Sequence, residues 1–331
     1  MKAIVYRQYG PPDVLHVEEI EKPSPADDEL LIKVHAAEVT KADCEMRDFN
    51  FQVKWFWLPL RIALGLTKPR KQVLGGYFAG EIESIGKDVV RFKVGDFIFG
   101  TTGFRFGAYA EYICLPDSYT LAPKPNNMSF AEAAAVPLGG MNALHFLRKA
   151  NVKPGESVLV NGAGGSIGAY AVQIAKSMGA EVTAVDSANK EEMLQRIGAD
   201  YFIDYRKEDF TKNKKSYDVI LSVVANNNYS ACIGSLKTEG RYLMANPYLS
   251  NMLSSVLTSQ FSDKKAIFAF AGEKQEELGV LKEMIEAGKI ISTVDRVYSY
   301  EQVAEAHRRV ETEQRLGSVV IAPNDMLSKN L

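Results

Sequence analysis

The chain has 331 residues, of which 46% are hydrophobic and 24% charged, and its formal net charge is −2. This is the composition of a soluble protein with room for two domains, and the charge balance favours neither nucleic acid nor an anionic membrane as the main partner. Cys44, Cys114 and Cys232 are widely spaced, form no disulfide framework and suit a reducing compartment. The chain opens on an apolar run without a signal-peptide pattern, so we expect a cytoplasmic protein.

Residues 1–123 alternate short apolar runs with Gly, Pro and Asp turns, a pattern typical of a β-rich domain. The runs that predict strands are 30–35, 81–85, 97–99 and 108–114. Pro123, Pro125 and the two asparagines that follow indicate a linker at the end of this part of the chain.

One apolar stretch, residues 51–66, is too short to span a bilayer and contains Lys54, Pro59 and Arg61. Three interpretations stay open for it. It is a helix or loop packed on the core, an apolar wall or lid of a substrate cleft, or a contact with a membrane surface. Its aromatic residues, Trp55 among them, are candidates for the wall of a flat apolar pocket.

From Ser129 onward the pattern changes to alternating helix and strand. Apolar strand-like runs occur at 157–160, 181–185, 201–203, 219–223, 241–244 and 266–270, with helical patterns such as 167–178 and 190–197 between them. Such alternation predicts a doubly wound parallel sheet. A final strand at 318–321 is expected to rejoin the N-terminal β region.

The most informative stretch is 158–168, where an apolar run ends in a turn with glycines at 162, 164, 165 and 168 and a helical run follows. Glycines let the backbone approach a phosphate closely, and the next helix directs its N–H groups and positive dipole end at the anion. A second strand then ends at Asp186, an acid placed to accept hydrogen bonds from an adenosine ribose. This context predicts a dinucleotide-binding βαβ unit.

Further motifs are spread over nearly the whole chain. They lie at 2–6, 9–15, 73–81, 94–96, 107–112, 133–137, 158–168, 198–205 and 317–321. Through them the chain resembles the medium-chain dehydrogenase/reductase superfamily, and within it the zinc-free quinone oxidoreductase branch that contains the zeta-crystallin-like reductases.

The resemblance implies an α/β fold that combines a Rossmann doubly wound parallel sheet with a GroES-like β-rich catalytic domain. Residues 1–123 and 272–331 are expected to form the catalytic domain, and residues 124–271 the dinucleotide-binding domain. The resemblance also implies a homodimer, and pairing of edge strands near residues 266–270 is the expected route.

Zinc is bound in the alcohol dehydrogenase branch of this superfamily by a Cys, a His-Glu pair and a second Cys. In this chain Thr40, Gly76 with Tyr77, and Leu138 stand at or near those places. Threonine, glycine and leucine do not supply the nitrogen and sulfur donors that zinc requires. The four-cysteine structural lobe is absent from the sequence as well, so we expect no metal site.

The chemistry follows from the missing zinc ligands. Reduction of a simple ketone needs an electrophile for the developing alkoxide, whereas a quinone or enone spreads the charge over its π system. We therefore expect zinc-independent hydride transfer from NADPH or NADH to a quinone or an α,β-unsaturated carbonyl. Thr40 and Tyr77 are the candidate catalytic residues, Tyr77 as a hydrogen-bond donor or merely as a residue that fills space. Trp55, Phe104 and Phe106 are candidates for the pocket wall.

The predicted cofactor-binding set comprises Asn142, Gly162, Gly164, Gly165, Ser166, Ile167, Gly168, Asp186, Ser187, Lys190 and Tyr205. Asp186 favours NADH, because its charge repels a 2′-phosphate. Lys190 and Tyr205 match positions that hold the 2′-phosphate in NADPH-using relatives, so the choice between the two coenzymes stays open. In the alternative interpretation Lys190 is a solvated helix residue and Tyr205 stacks on adenine.

Two other functions stay open at this point. An enoyl-thioester or other alkene reductase would need a long apolar channel with a basic mouth, for which Lys68, Arg70 and Lys71 are candidates, although they also fit a solvated loop. A nucleotide-binding regulatory or structural protein with little turnover is the other alternative, because a fold does not imply an activity.

Overall fold

The computed structural model describes residues 1–51, 57–225, 227–268 and 273–327. The chain divides into two compact units: unit 1 comprises Met1–Leu138, Glu273–Ala287 and Ser292–Leu331, and unit 2 comprises Gly139–Gly272 and Gly288–Ile291. By its contacts, the segment 124–138 lies with unit 1. The predicted division into a catalytic domain of residues 1–123 and 272–331 and a dinucleotide-binding domain of residues 124–271 stays a prediction.

Fifteen strands are numbered in chain order over the described residues. They are β1 Lys2–Val5, β2 His16–Glu19, β3 Glu29–Val39, β4 Tyr77–Ile85, β5 Phe97–Thr101, β6 Tyr112–Pro116, β7 Leu121–Pro123, β8 Ser157–Asn161, β9 Glu181–Asp186, β10 Tyr201–Asp204, β11 Tyr217–Ser222, β12 Leu236–Met244, β13 Lys265–Phe268, β14 Val294–Ser299 and β15 Ser318–Ala322.

The helices of the same ranges are numbered likewise. They are α1 Lys41–Asp48, α2 Trp57–Leu64, α3 Phe130–Ala134, α4 Val136–Ala150, α5 Ser166–Ser177, α6 Glu191–Arg196, α7 Tyr229–Gly234, α8 Leu249–Phe261, α9 Gln275–Glu286 and α10 Val303–Glu311. None of these helices combines the length and the hydropathy that a bilayer crossing requires.

Unit 1 is built on a sheet with the order β14-β15-β3-β4-β5-β7, in which β6 also pairs with β3. β3 is the central strand: nine of its eleven residues are buried, because it pairs with β4, β6 and β15. β15 pairs antiparallel with β3, with Val319 opposite Val39. The predicted return of the C-terminal strand to the N-terminal β region is therefore confirmed.

Unit 2 contains a six-stranded parallel sheet with the order β10-β9-β8-β11-β12-β13. From the centre of the sheet, β8, β9 and β10 follow one another toward one edge, and β11, β12 and β13 follow one another toward the opposite edge. The strand order therefore reverses between β8 and β11. In open sheets of this kind ligands bind outside the carboxyl ends of the strands at that reversal. The predicted Rossmann sheet with a β-rich second unit is confirmed.

A buried polar cluster ties α1 to α10 within unit 1. The Arg47 guanidinium is 1% exposed and donates to the carbonyl of Gly10 at 2.9 Å, to Nδ1 of His307 at 3.1 Å and to Oε1 of Glu311 at 2.6 Å. Burial, and then the charge of Arg47, lower the pKa of His307 to about 3. His307 is thus a neutral acceptor for Arg47, and its role is structural.

We predict that His307→Gln weakens the pH dependence of stability. Native His307 stays neutral down to about pH 3, whereas a histidine in the unfolded chain takes up a proton below about pH 6.5. The unfolded state then binds more protons, so the stability present above about pH 6.5 is lost as the pH falls, by up to about 1.4 kcal/mol per pH unit. Urea unfolding at neutral and mildly acid pH measures this slope.

The control is Val90→Gln, which introduces the same amide at an 87% exposed position of the same unit and removes no titratable group. It should keep the slope of the wild-type protein. Equal slopes for the wild type and His307→Gln would show that His307 does not carry this pH dependence.

Candidate functional site

The glycine turn joins the carboxyl end of β8 to the start of α5. Gly162 has φ +84°, and a side chain there would meet the methyl groups of Val223 and Val224 at 2.7 and 2.8 Å. A Cβ on Gly168 would lie 2.2 Å from the carbonyl oxygen of Gly162. The first of these glycines is needed for the turn and the other for the close approach of α5 to β8.

The N-terminus of α5 follows directly on the glycine turn. Gly165 is the N-cap residue in extended conformation, and no side chain caps the helix there. Ser166 and Ile167 form its first turn, and the N–H groups of a first turn point out of the helix along its axis. Such a helix start binds an anion through its N–H groups and its dipole.

Asp186 fixes this turn from the neighbouring strand. Its Oδ2 accepts a hydrogen bond from the Gly164 N–H at 2.7 Å, and its Oδ1 accepts one from the Ser187 N–H at 2.8 Å. The Lys190 ammonium lies 3.0 Å from Oδ1, and the two side chains are 7% and 9% exposed. The interpretation of Lys190 as a solvated residue is therefore wrong, because its side chain is buried in an ion pair with Asp186.

The Lys190 stem also explains why residue 164 is a glycine. A Cβ at position 164 would lie 2.2 Å from Cδ of Lys190 and 3.1 Å from Oδ2 of Asp186. The turn after β8 and the segment after β9 thus pack against each other around Asp186. Tyr205 lies at its rim, where it is 55% exposed and donates its N–H to the carbonyl of Asp186 at 3.2 Å.

Asn142 belongs to the same surroundings through α4. Gly139, three residues before it, packs so closely on α5 that a Cβ would lie 2.6 Å from the Ser166 carbonyl. Asn142 itself is half-buried. The structure therefore brings the predicted residues of α4, the glycine turn and the end of β9 into one region of unit 2.

Two polar residues at the reversal of strand order are absent from the predicted set. Asn161 and Ser222 are paired in register at the ends of β8 and β11, and both are buried. The Asn161 amide donates to Oδ1 of Asn227 at 2.9 Å. The pattern that points to them is a polar residue at the end of an apolar strand run, next to the predicted phosphate turn.

In unit 1, Asp43 links the two candidate catalytic residues. The Thr40 hydroxyl donates to Oδ2 of Asp43 at 2.6 Å and accepts from the Asp43 N–H at 3.1 Å, so Thr40 is the N-cap of α1. Oδ1 of Asp43 accepts from the N–H of Gly75 at 3.1 Å, two residues before Tyr77. Burial raises the pKa of Asp43, and these hydrogen bonds oppose that shift.

Tyr77 lies in a carboxylate-rich environment at the start of β4. Burial raises the pKa of its hydroxyl far above the usual value, and the charges of Glu273, Glu38 and Asp43 raise it further. Glu273 accepts from the hydroxyl of Thr101, the cross-strand partner of Tyr77, at 2.6 Å, and burial raises the pKa of Glu273. The hydroxyl of Tyr77 therefore keeps its proton. Glu273 carried no distinguishing pattern in the sequence.

The three predicted pocket residues differ in placement. Phe104 is 93% exposed, whereas Phe106 is partly buried against the core of unit 1. Trp55 lies outside the described residues. A role for these aromatic rings in a pocket wall stays a prediction.

The residues at the zinc positions do not fit a zinc site. The Thr40 hydroxyl is engaged in the cap of α1, and glycine and leucine at positions 76 and 138 carry no donor side chain. Within the described ranges, His, Cys, Asp and Glu side chains form no group of three or more that could hold a metal ion. The glycine turn, in contrast, suits a dinucleotide phosphate, since positions 162, 164, 165 and 168 carry no side chain and no side chain caps the helix that follows.

Comparison with protein families gives two matches along the chain. Residues 26–126 match the alcohol dehydrogenase GroES-like domain, and residues 197–321 match the family described as zinc-binding dehydrogenase. The first match covers strands of unit 1. The second runs from unit 2 through β15.

Individual relatives match over nearly the full length. A 2-methylene-furan-3-one reductase from Solanum lycopersicum is 31% identical over 98% of this chain and 79% of its own length. A quinone oxidoreductase from Homo sapiens is 31% identical over 94% of both chains. The solved structure of a quinone oxidoreductase from Coxiella burnetii superposes with a TM-score of 0.86 and 29% identity, covering 97% of this chain and 99% of that one.

We predict that Gly168→Ala destabilises unit 2 and weakens dinucleotide binding. The added methyl group would meet backbone atoms of Gly162 and Ala163 at 2.2 to 2.7 Å, and backbone cannot move aside as a flexible side chain can. The expected loss in the free energy of unfolding is about 1–3 kcal/mol. Urea unfolding and calorimetric titration with NADH and NADPH measure the two effects.

Gly234→Ala is the matched control, because position 234 ends α7 in the same unit and a Cβ there meets nothing within 4 Å. It should leave stability and binding close to those of the wild type. Unchanged binding in Gly168→Ala would mean that the turn does not hold the dinucleotide.

Proposed function

The chain belongs to the medium-chain dehydrogenase/reductase superfamily, in its quinone oxidoreductase branch, and on that premise we propose that it reduces quinones or α,β-unsaturated carbonyls without zinc. The observation that carries the proposal is the set of side chains at positions 40, 76, 77 and 138, which offers a neutral phenol where zinc would need nitrogen and sulfur donors. A bound NADPH or NADH supplies the hydride.

A conjugated acceptor suits such a site better than a simple ketone. The negative charge that develops when hydride arrives is spread over the π system, so the protein needs to supply positioning, exclusion of water and one hydrogen bond. Tyr77 is suited to that hydrogen bond. Burial and three nearby carboxylates raise its pKa, so the hydroxyl stays protonated at neutral pH and can donate to the carbonyl oxygen of the acceptor.

The activity is tested with a panel of acceptors, and oxidation of NADH or NADPH is measured by the loss of coenzyme absorbance. We expect 1,4-benzoquinone or a simple enone to oxidise the coenzyme at a rate that a zinc chelator leaves unchanged, and a simple ketone to react far more slowly. Crotonyl-coenzyme A tests the enoyl-thioester alternative. Tight coenzyme binding without turnover on any acceptor, or activity restored only by zinc, would overturn the proposal.

We predict that Tyr77→Phe lowers kcat on an enone by more than about tenfold, as the loss of one hydrogen bond to a charged oxygen implies. The aromatic packing is retained in this variant. Tyr112→Phe, at a half-buried tyrosine in β6 of the same unit, is the matched control and should retain full turnover. An unchanged kcat in Tyr77→Phe would remove Tyr77 from the reaction.

For the coenzyme we propose that both NADH and NADPH bind. The Lys190 ammonium compensates the charge of Asp186, which would otherwise repel a 2′-phosphate. The same ion pair keeps Lys190 from offering its full charge to that phosphate. Ser187 and Tyr205 stand beside the pair, where they can contact the adenosine end.

Asp186→Asn should therefore shift the preference toward NADPH. The amide oxygen can still accept the N–H of Gly164, while Lys190 is released for the 2′-phosphate, and we expect the ratio of NADH to NADPH dissociation constants to rise about tenfold. Asp200→Asn is the control, because Asp200 also accepts a backbone N–H and pairs with a lysine, Lys176, at 2.8 Å in the same unit. A flat ratio in Asp186→Asn would contradict the proposal.

We further propose a cytoplasmic homodimer. β13 lies at the edge of the sheet formed by the described strands of unit 2. Beside it, Leu253, Leu257 and Phe261 of α8 are 65%, 58% and 81% exposed, an apolar face that a second copy would cover. The free cysteines at positions 44, 114 and 232 are consistent with a reducing compartment.

A further inference from the structure

The segment around α2 presents an apolar surface outside the residues to which the proposed reaction is assigned. Leu58, Ile62 and Leu66 are 58%, 52% and 60% exposed, and we call these three residues the α2 surface. No residue of α2 is fully buried; Leu64 packs partly against the core of unit 1, and Trp57, 44% exposed, lies edge to face against the buried ring of Phe49 at 5.9 Å between ring centres. Packing on the core therefore accounts for Leu64 and one side of Trp57 but not for the α2 surface.

The helix is nevertheless held firmly on its inner side. The Tyr9 hydroxyl lies 3.1 Å from the carbonyl of Leu64 and 2.9 Å from that of Gly65. The Arg61 guanidinium stacks 4.2 Å from the ring centres of Tyr9 and Phe49. The α2 surface is thus the outward face of an anchored helix, with Leu58 and Ile62 one turn apart.

The charge of this region differs from that of the whole chain. Residues 57–80 contain four cationic residues, Arg61, Lys68, Arg70 and Lys71, and no Asp or Glu, whereas the chain as a whole has a formal net charge of −2. Lys68, Arg70 and Lys71 are exposed and follow directly on Leu66. An apolar helical face therefore adjoins a cationic loop without an acidic residue between them.

We propose that the α2 surface docks on an anionic lipid surface. A short helix with exposed Leu and Ile side chains, a half-exposed Trp at its start and adjacent Lys and Arg residues is the composition that binds in the plane of a membrane interface. The cations attract anionic headgroups while the apolar side chains enter the acyl boundary. A second copy is a poor occupant of the same surface, because it would bring three further exposed cations against Lys68, Arg70 and Lys71.

This proposal is independent of the reductase activity, and its test needs neither coenzyme nor acceptor. The full-length protein is mixed with vesicles of phosphatidylcholine alone, or of equal parts phosphatidylcholine and phosphatidylglycerol, and sedimented. The chain has two tryptophans, Trp55 and Trp57. Their fluorescence therefore reports on this segment alone.

We expect partitioning onto the anionic vesicles to exceed that onto phosphatidylcholine by about tenfold or more, with a shift of the fluorescence to shorter wavelength and a loss of binding at high salt. Leu58→Asp/Ile62→Asp should lower partitioning at least about tenfold. Lys68→Gln/Arg70→Gln/Lys71→Gln should remove the preference for anionic vesicles.

The matched control is Val90→Asp/Val94→Asp, which alters two valines of the same unit that are 87% and 57% exposed and changes the net charge equally. It should bind as the wild type does. The proposal is overturned if the wild type does not bind anionic vesicles, or if Leu58→Asp/Ile62→Asp binds them as well as the control. It is also overturned if that variant instead dissociates a dimer, or raises KM for a soluble acceptor while vesicle binding is unchanged.

Discussion

The carboxylate of Asp186 is the interaction on which the candidate cofactor site depends. It accepts the N–H groups of Gly164 and Ser187 and pairs with Lys190 at 3.0 Å, so it joins the turn after β8 to the segment after β9. A buried charge is tolerated only when it is paired and hydrogen-bonded, and Asp186 meets that condition. The phosphate turn is consequently shaped before any ligand arrives, and the adenosine end would meet an ion pair rather than a bare carboxylate.

In unit 1 a second buried carboxylate plays a similar organising part. Asp43 receives hydrogen bonds from Thr40 and from Gly75, and thereby fixes the start of α1 relative to the strand that carries Tyr77. Thr40 is engaged in this cap, whereas the Tyr77 hydroxyl takes no part in it. Burial, and then the charges of Glu273, Glu38 and Asp43, raise the pKa of Tyr77, so its hydroxyl keeps its proton. A protonated hydroxyl is what the proposed zinc-free reduction of a conjugated carbonyl requires.

How far the sequence predicted this arrangement depended on the kind of residue. Gly162 and Gly168 were predictable, because a positive φ and a close backbone approach exclude other side chains. Lys190 and Asp186 were identified, but their mutual burial was not, since a lysine in a polar helix start ordinarily faces water. Glu273 became part of the surroundings of Tyr77 through tertiary contacts between distant segments. For α2, the apolar pattern left open whether the core or another surface covers it.

Hydride transfer is the central claim, and isotope transfer tests it most directly. The protein is incubated with reduced coenzyme carrying deuterium at both C4 positions of the dihydronicotinamide and with a simple enone, and the product is examined by NMR. The account predicts deuterium on the carbon β to the carbonyl, with no added zinc. Product that carries deuterium only on the carbonyl carbon, or labelled coenzyme that binds but transfers no deuterium to any acceptor, would contradict it.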